Sequence, residues 1–283
     1  FFYRNNKGFE RTVANRIDEI AISTFSPGSE IVKDKMLYKT IGFAKPEKQG
    51  NCFRITEGIK ENDFNIGVCN KCKSIFEIEK NAEKKCLCCN ENDVDIFSAF
   101  LPLGYITQSG GYSQGRSIPK ESPYVRPFKG NFEWQPQTTN SFVVSKNIDY
   151  SEIPNCSLEY NCNSEHGVVS FVNTNNNKGF DVVSSPAGRD GSILLDSRFS
   201  DRHDFKYSHF ALVVSKVTGI LTIKFKNNSE LIDVGCEMND CDRQLSLRGA
   251  FLSFGTLLRN AMTDFCKVDT KEISIIFLIS YEK

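Results

Sequence analysis

Two cysteine pairs with the same spacing, Cys69-Asn70-Lys71-Cys72 and Cys86-Leu87-Cys88-Cys89, are the residues of this chain best suited to chemistry. A tetrahedral zinc ion takes four thiolates at about 2.3 Å. Each Cys-x-x-Cys turn offers two sulfurs to one side of the ion, so Cys69, Cys72, Cys86 and Cys89 together would enclose it. Cys88 is the odd residue, either a spare thiol or a substitute for one member of the second pair. Between the pairs, Ser74 to Ile78 alternates apolar and polar and predicts a short strand, as in a zinc ribbon. A redox pair or a disulfide cluster is the competing reading, but the strand-to-helix setting of a redox dithiol is missing. A closed four-thiolate zinc site has no open coordination position. It folds a loop and supports a binding surface, and does no chemistry of its own.

A second candidate is the stretch from Pro102 to Gly130, rich in glycine and proline and predicted to be a long loop. It carries Arg116, Lys120, Arg126 and Lys129 against one acid, Glu121, with Tyr105, Tyr112 and Tyr124 among them. Cations interleaved with aromatic rings suit a phosphate backbone and its bases. Arg116, Lys120, Arg126, Lys129, Tyr112 and Tyr124 are therefore the nucleic-acid candidates, set against a plain solvated or core-capping loop.

Other chemistry is thin. There is no phosphate-binding loop, no dinucleotide fingerprint, no His-Glu-x-x-His and no nucleophile elbow. His203 in Asp201-Arg202-His203-Asp204 is chemically suggestive, but sequence assigns it no partner. Cys156, Cys162 and His166, and Cys236 with Cys241, lack the tight pairing of the first two turns, and buried thiols are the plainer reading.

The elements that must position these residues follow from periodicity. Apolar residues at Phe9, Val13, Ile17, Ile20, Ala21 and Thr24 predict an N-terminal helix over Phe9 to Phe25, ended by Ser26-Pro27-Gly28. Ile31-Val32 and Met36 to Phe43 predict strands joined at Lys33 to Lys35, Cys52 to Ile55 a third, and Lys45 to Gly50 a polar turn. Phe64 to Val68 leads into the ribbon and Val94 to Phe100 leads out. Beyond residue 130 short strands are expected at Ser141 to Ser145, Ser157 to Tyr160, Val168 to Val172, Phe180 to Ser184, Phe210 to Lys216 and Ile220 to Phe225. Asn173 to Gly179 reads as a polar turn and Lys216 to Gly219 as a hairpin connection. Leu245 to Phe265 is the clearest helix, with Leu247, Phe251, Phe254, Leu258, Ala261 and Phe265 as its core stripe. Ile273 to Ser280 predicts a final strand. The fold class is α+β. A main body begins at 1–63, takes an inserted zinc ribbon at 64–97, and continues as a β-rich body over 98–283 with loop 102–130 and helix 245–265.

The bulk composition narrows the setting. With 35 basic and 35 acidic residues the formal charge is zero, which argues against a basic clamp over the whole surface. Eleven cysteines in 283 residues, an odd number in a large chain, suit a reducing cytoplasm with a metal site better than a disulfide scaffold. No apolar run is long enough for a membrane span. A first residue of Phe1 and an end just after an apolar strand predict a fragment of a longer polypeptide.

Several segments carry a resemblance. Arg16 to Glu30 is similar to the R-x-x-x-x-A-I-x-x-F/Y-A-P-G segment that follows the motor of certain large superfamily-two helicases, and the likeness continues through Asp34-Lys35 and Ile41-Gly42-Phe43. Asn173 to Phe180 resembles the N-x-N-x-G-x-G-F turn of that family. Lys216-Val217-Thr218 resembles its T-K-V-T-D strand, with Gly219 where an acid is usual. Ser253 to Ala261 and Val268-Asp269 resemble its S-x-x-x-L-L-R-x-A helix and the strand after it. The chain thus resembles the C-terminal region, related to the MrfA-type zinc-binding domain, of bacterial anti-phage helicases of the Druantia and DISARM-related kind. The resemblance implies a structural Zn2+ in a ribbon at the cysteine pairs and a missing N-terminal ATPase motor. It implies a non-catalytic, cytoplasmic module that contacts DNA, the motor, or both, in phage defence. A scaffold for other proteins of such a system, without direct DNA contact, is the alternative. An enzyme built on His203 is a third and weaker one.

Overall fold

The computed structural model describes residues 2–5, 8–12, 14–49, 52–71, 73–87, 90–108, 112–113, 126–129, 157–186, 192–226, 240–273 and 275. In several strands and in the first turns of the last helix the backbone alone is described. In chain order the elements are β1 (Phe2–Asn5), β2 (Gly8–Thr12), α1 (Asp18–Thr24), β3 (Glu30–Lys33), β4 (Met36–Phe43), β5 (Lys45–Gln49) and β6 (Cys52–Thr56). Then come β7 (Ile59–Cys69), β8 (Ile75–Glu79), β9 (Val94–Pro102), β10 (Tyr105–Thr107), β11 (Tyr112–Ser113) and β12 (Arg126–Lys129). The rest are β13 (Ser157–Asn173), β14 (Phe180–Pro186), β15 (Ser192–Asp196), β16 (Phe205–Lys226) and α2 (Asp240–Cys266), with 3-10 turns at Ser197–Phe199 and Thr270–Glu272.

A mixed sheet dominates. Its strands run in the order β2-β1-β10-β4-β15-β14-β16-β9-β7-β8, with β13 and β12 extending from β16 and with β3 and β11 on β4. Among the described residues only β1–β10 and β16–β9 are parallel pairs. The centre of β16 shows why the sheet holds. Phe210, Leu212 and Val214 fall on one face, in a cluster with Ala21, Ile22 and Phe25 of α1, Phe43, Phe100, Tyr105 and Phe180. Ala211 and Val213 fall on the other, with Ile66, Val68, Phe97, Ala99 and Val172. A strand buried on both faces reads as an unbroken apolar run, and Phe210 to Val214 is one. Phe210 is the hub of the ring packing, 6.2 Å from Phe43, 4.9 Å from Phe100 and 5.8 Å from Phe180 between centroids.

The β3–β4 hairpin forms where the sequence placed it, with Asp34 at φ 52° and Lys35 at φ 62°, the two left-handed residues of a tight hairpin turn. Other expectations need correction. The N-terminal helix spans only Asp18 to Thr24, because Gly8–Thr12 pairs antiparallel with β1 and extends the sheet. Phe9 and Val13 match the helical period of the residues that follow, but sheet pairing sets the conformation at Phe9. Lys45 to Gln49 is a strand against β6. The 102–130 stretch is not one long loop: β10 lies inside the sheet between β1 and β4, and β11 and β12 pair with β4 and β13.

The expected hairpin at Lys216 to Gly219 is instead the middle of β16, a strand of 22 residues. Its ladder with β13 runs from Ser157↔Lys226 to Asn173↔Leu212 and shifts register between Asn163 and Gly167. Ser164 to His166 lie opposite Gly219 alone, so turn-forming residues on both strands make a bulge in one continuous ladder. The final strand expected at Ile273 to Ser280 and the strand at Ser141 to Ser145 fall almost wholly outside the described residues.

Candidate metal centre and the junction of the sequence motifs

The strands expected to lead in and out of the ribbon are the ends of β7 and β9 in the body's own sheet. β8 closes the hairpin through Val68↔Ile75, and Cys69 lies in register with Val94. Cys69 and Cys86 open the two Cys-x-x-Cys turns. Both are fully buried in one cluster with Phe76, Ile78 and Val94.

Their backbones are arranged alike. Cys69 N–H donates to the Ser74 carbonyl at 3.0 Å, and the Cys69 carbonyl accepts from Lys73 N–H at 3.0 Å. Cys86 N–H donates to the Glu91 carbonyl at 2.8 Å, and the Cys86 carbonyl accepts from Asn90 N–H at 3.0 Å. Lys73 and Asn90, each directly after the second cysteine of its pair, are both left-handed at φ 58°. Asparagine tolerates that region, but lysine adopts it only where surrounding bonds fix the turn.

The turns are also tied to each other. Asn70 N–H donates to the Asp93 carbonyl at 2.9 Å, and Asn70 Nδ2 to Asp93 Oδ1 at 3.0 Å. Lys71 pairs with Glu91. Cys69 and Cys86 are thus two buried thiols at the mouths of equivalent turns, and among the described residues no group of three or more potential metal ligands stands together. Cys72, Cys88 and Cys89 lie outside the described residues.

The sequence motifs meet at a second place, around α1. Asn173 is fully buried at the end of β13. Its Nδ2 donates to the Ile22 carbonyl at 2.9 Å, and its Oδ1 accepts from Asn175 N–H at 2.9 Å. Ile22 sits in the last turn of a short helix, whose carbonyls have no helical partner, so the amide closes that end of α1. The turn after it is left-handed at Asn175, Asn176, Asn177 and Gly179.

Glu19, in the first turn of α1 where the helix dipole favours an acid, meets Lys216 of β16 at 2.7 Å. Burial pushes the Glu19 carboxyl up. The Lys216 hydrogen bond and charge, with a backbone hydrogen bond, outweigh it and leave the group below its ordinary value.

Behind the helix, Ser26 and Ser29 are buried, with their hydroxyls 3.2 Å apart. Gly28 stands at φ +93°, and a Cβ there would lie 3.2 Å from Arg198 Nη1. Arg198 grips buried Asp196 through Nε at 2.7 Å and Nη2 at 2.9 Å, and reaches the Pro27 carbonyl at 3.0 Å. The Asp196 hydrogen bond and charge hold the guanidinium pKa up against burial. Segments 173–180 and 216–218 therefore each touch segment 16–30 directly. Sequence patterning did not announce this junction: Glu19, Asn173, Asp196 and Arg198 are polar residues whose partners come from distant strands.

The remaining candidates are dispersed. Tyr112 lies on β11, paired with Leu37, and Arg126 and Lys129 lie on β12, paired with Val172 and Val169. Their side chains, and all of Arg116, Lys120 and Tyr124, lie outside the described residues. His203 is exposed, as are Asp201, Arg202 and Asp204. His209 is left-handed at φ 50° and stacks on Phe97, 4.4 Å between centroids. Cys162 and His166 lie on β13, and Cys241 in the first turn of α2.

Comparison with family models, with curated proteins and with solved structures finds no match to this chain. Among the described residues no helix is long and apolar enough to cross a membrane.

Proposed function

We propose that this chain is a non-catalytic, zinc-containing module of a superfamily-two DNA helicase of a bacterial phage-defence system, working in the cytoplasm against DNA, the motor, or both. The observation that carries the reading is the junction at α1. Segments 173–180 and 216–218, which resemble the helicase family, each bond to segment 16–30, which does too, through Asn173–Ile22 and Lys216–Glu19.

The zinc is part of the same proposal. Cys69, Cys72, Cys86 and Cys89 are its ligands, and the equivalence of the two turns favours Cys89 over Cys88. Asn90 follows Cys89 as Lys73 follows Cys72, with the same φ and the same hydrogen bond. The ion cross-links the turns and supplies no reaction step. DNA contact rests on the basic and aromatic residues Arg116, Lys120, Arg126, Lys129, Tyr112 and Tyr124.

Two measurements test the reading. Metal analysis of the purified chain is expected to give one zinc, lost on C69S or C89S and kept on C88S. Anisotropy of labelled single-stranded and duplex DNA is expected to show binding that weakens with salt and with R126A/K129A. A metal-free chain sinks the zinc centre; salt-insensitive or absent binding sinks the DNA contact.

A scaffold for other proteins of the system is the second reading. Its specific support is the zero net charge and the apolar residues that α2 leaves exposed. Co-purification with the motor segment, without DNA binding, would favour it.

A further inference from the structure

Among the described residues, the buried side-chain atoms without a hydrogen-bond partner include two hydroxyls on neighbouring strands, Thr40 of β4 and Tyr105 of β10. Thr40 is the one whose surroundings supply partners. It lies in register with Thr107 of β10, and both threonines are fully buried. Tyr105 belongs to the core cluster under α1, and Thr107, two residues along the same strand, shares its face. Directly opposed residues of a pair stand on one face, so Thr40 points there too.

The backbone around Thr40 is irregular on both sides. Towards β10, Ile106 pairs with Gly42 and Thr107 with Thr40, which leaves Ile41 as the extra residue of a bulge. Towards β3, Gly28 N–H donates to the Thr40 carbonyl and Thr40 N–H to the Ser29 carbonyl, both at 2.9 Å, so two residues stand against one. Ser29 is buried as well. Its O–H donates to the Ser23 carbonyl at 3.2 Å, and the Thr107 O–H donates to the Gln108 carbonyl at 3.1 Å. Each of these oxygens keeps a lone pair to accept with.

Gln108 N–H donates to the Lys39 carbonyl at 2.9 Å, so Thr40 and Thr107 form the close, non-hydrogen-bonded kind of pair. Cβ atoms in such a pair stand about 4.5–5.5 Å apart. The two hydroxyls nevertheless do not bond to each other. One water, reaching about 2.8 Å to each oxygen, spans such a gap. An unpaired hydroxyl away from solvent costs more than the immobilisation of one water. A buried water takes two to four polar partners, and Thr40, Thr107 and Ser29 offer three.

We propose that Thr40, Thr107 and Ser29 hold one buried structural water between β4, β10 and the bend that follows α1. The Thr40 O–H donates to the water oxygen, and the two water protons go to Thr107 Oγ1 and Ser29 Oγ. The water thereby ties the exit of α1 to the sheet. The inference stands apart from the helicase reading and needs neither zinc nor DNA.

A high-resolution crystal structure of the full chain tests it directly. The expected result is an ordered water within hydrogen-bond distance of Thr40 Oγ1, Thr107 Oγ1 and Ser29 Oγ. A Thr40 hydroxyl with no water on it, or bonded directly to a protein group, overturns the proposal. Urea unfolding gives an independent readout. T40V keeps the shape of the side chain and removes the donor, and it lowers the folding equilibrium constant about tenfold. Were the hydroxyl simply unpaired, valine would leave that constant unchanged or raise it, and that result is a refutation. T107V lowers the constant as well, and T40V/T107V falls no further than the worse single variant, because either change releases the same water. Fully additive losses refute the shared site.

Discussion

Exchanging Asn173 for aspartate changes one heavy atom of a buried side chain and removes one hydrogen-bond donor. Asn173 Oδ1 accepts from Asn175 N–H, and a carboxylate does that equally well. Asn173 Nδ2 donates to the Ile22 carbonyl at 2.9 Å, and a carboxylate cannot. N173D therefore leaves the buried Ile22 carbonyl without its donor, at about 1–3 kcal/mol, and above the folded-state pKa it also buries an unpaired charge at further cost. Burial and the facing carbonyl oxygen raise the folded-state pKa of the new carboxyl above its unfolded value of about 3.9. The sign follows from linkage. The penalty is complete above the folded pKa and shrinks as pH falls through it, because the protonated acid donates to Ile22 again. Urea unfolding at neutral pH and near pH 5 reads both effects, with the difference from wild type narrowing at the lower pH. N173A, which removes donor and acceptor together, should cost a similar amount with no such narrowing. An N173D protein as stable as wild type at neutral pH would refute the claim that this amide fastens α1 to the sheet.

Three further outcomes are expected. K216M removes the partner that holds the Glu19 carboxyl down while burial stays, so the Glu19 titration by NMR should move from below to above the ordinary glutamate value. The wild-type pair contributes stability above that ordinary value, lost as pH falls below it, and under about 1 kcal/mol because Lys216 is half-exposed. G28A puts a Cβ on a left-handed residue against Arg198 and should cost about 1–3 kcal/mol in thermal unfolding, whereas S29A should cost less. On the proposed zinc site, a chelator should speed amide exchange at Cys69, Asn70 and Cys86 more than at Leu212 or Val213, which belong to other cores.

Spacing and local turn chemistry carried a good part of this molecule. Asp34-Lys35 between apolar runs can only be a tight hairpin, and it is one. Asn173 to Gly179 supplies residues that tolerate left-handed backbone, and the turn uses them. The Cys-x-x-Cys spacing marked two turns, and the backbone turns at Cys69 and Cys86. The period over Leu245 to Phe265 marked a helix there, and α2 starts five residues earlier, running from Asp240 to Cys266. In each case the determining interactions lie within a few positions along the chain.

Tertiary structure decided the rest, since the energies involved come from partners far away in sequence. Gly8–Thr12 is a strand because β1 offers it a ladder, although its apolar spacing suits a helix. Ser164 to His166 and Gly219 look like turns one strand at a time, and only their pairing makes them a bulge. A helical period shows that α2 has an apolar stripe but cannot say whether that stripe faces the core or water. Asn173, Glu19 and Arg198 look like ordinary polar residues in sequence. They fasten the fold only where tertiary structure brings their partners together, the buried Asn173 amide to the Ile22 carbonyl, Glu19 to Lys216, and Arg198 to Asp196 and the Pro27 carbonyl.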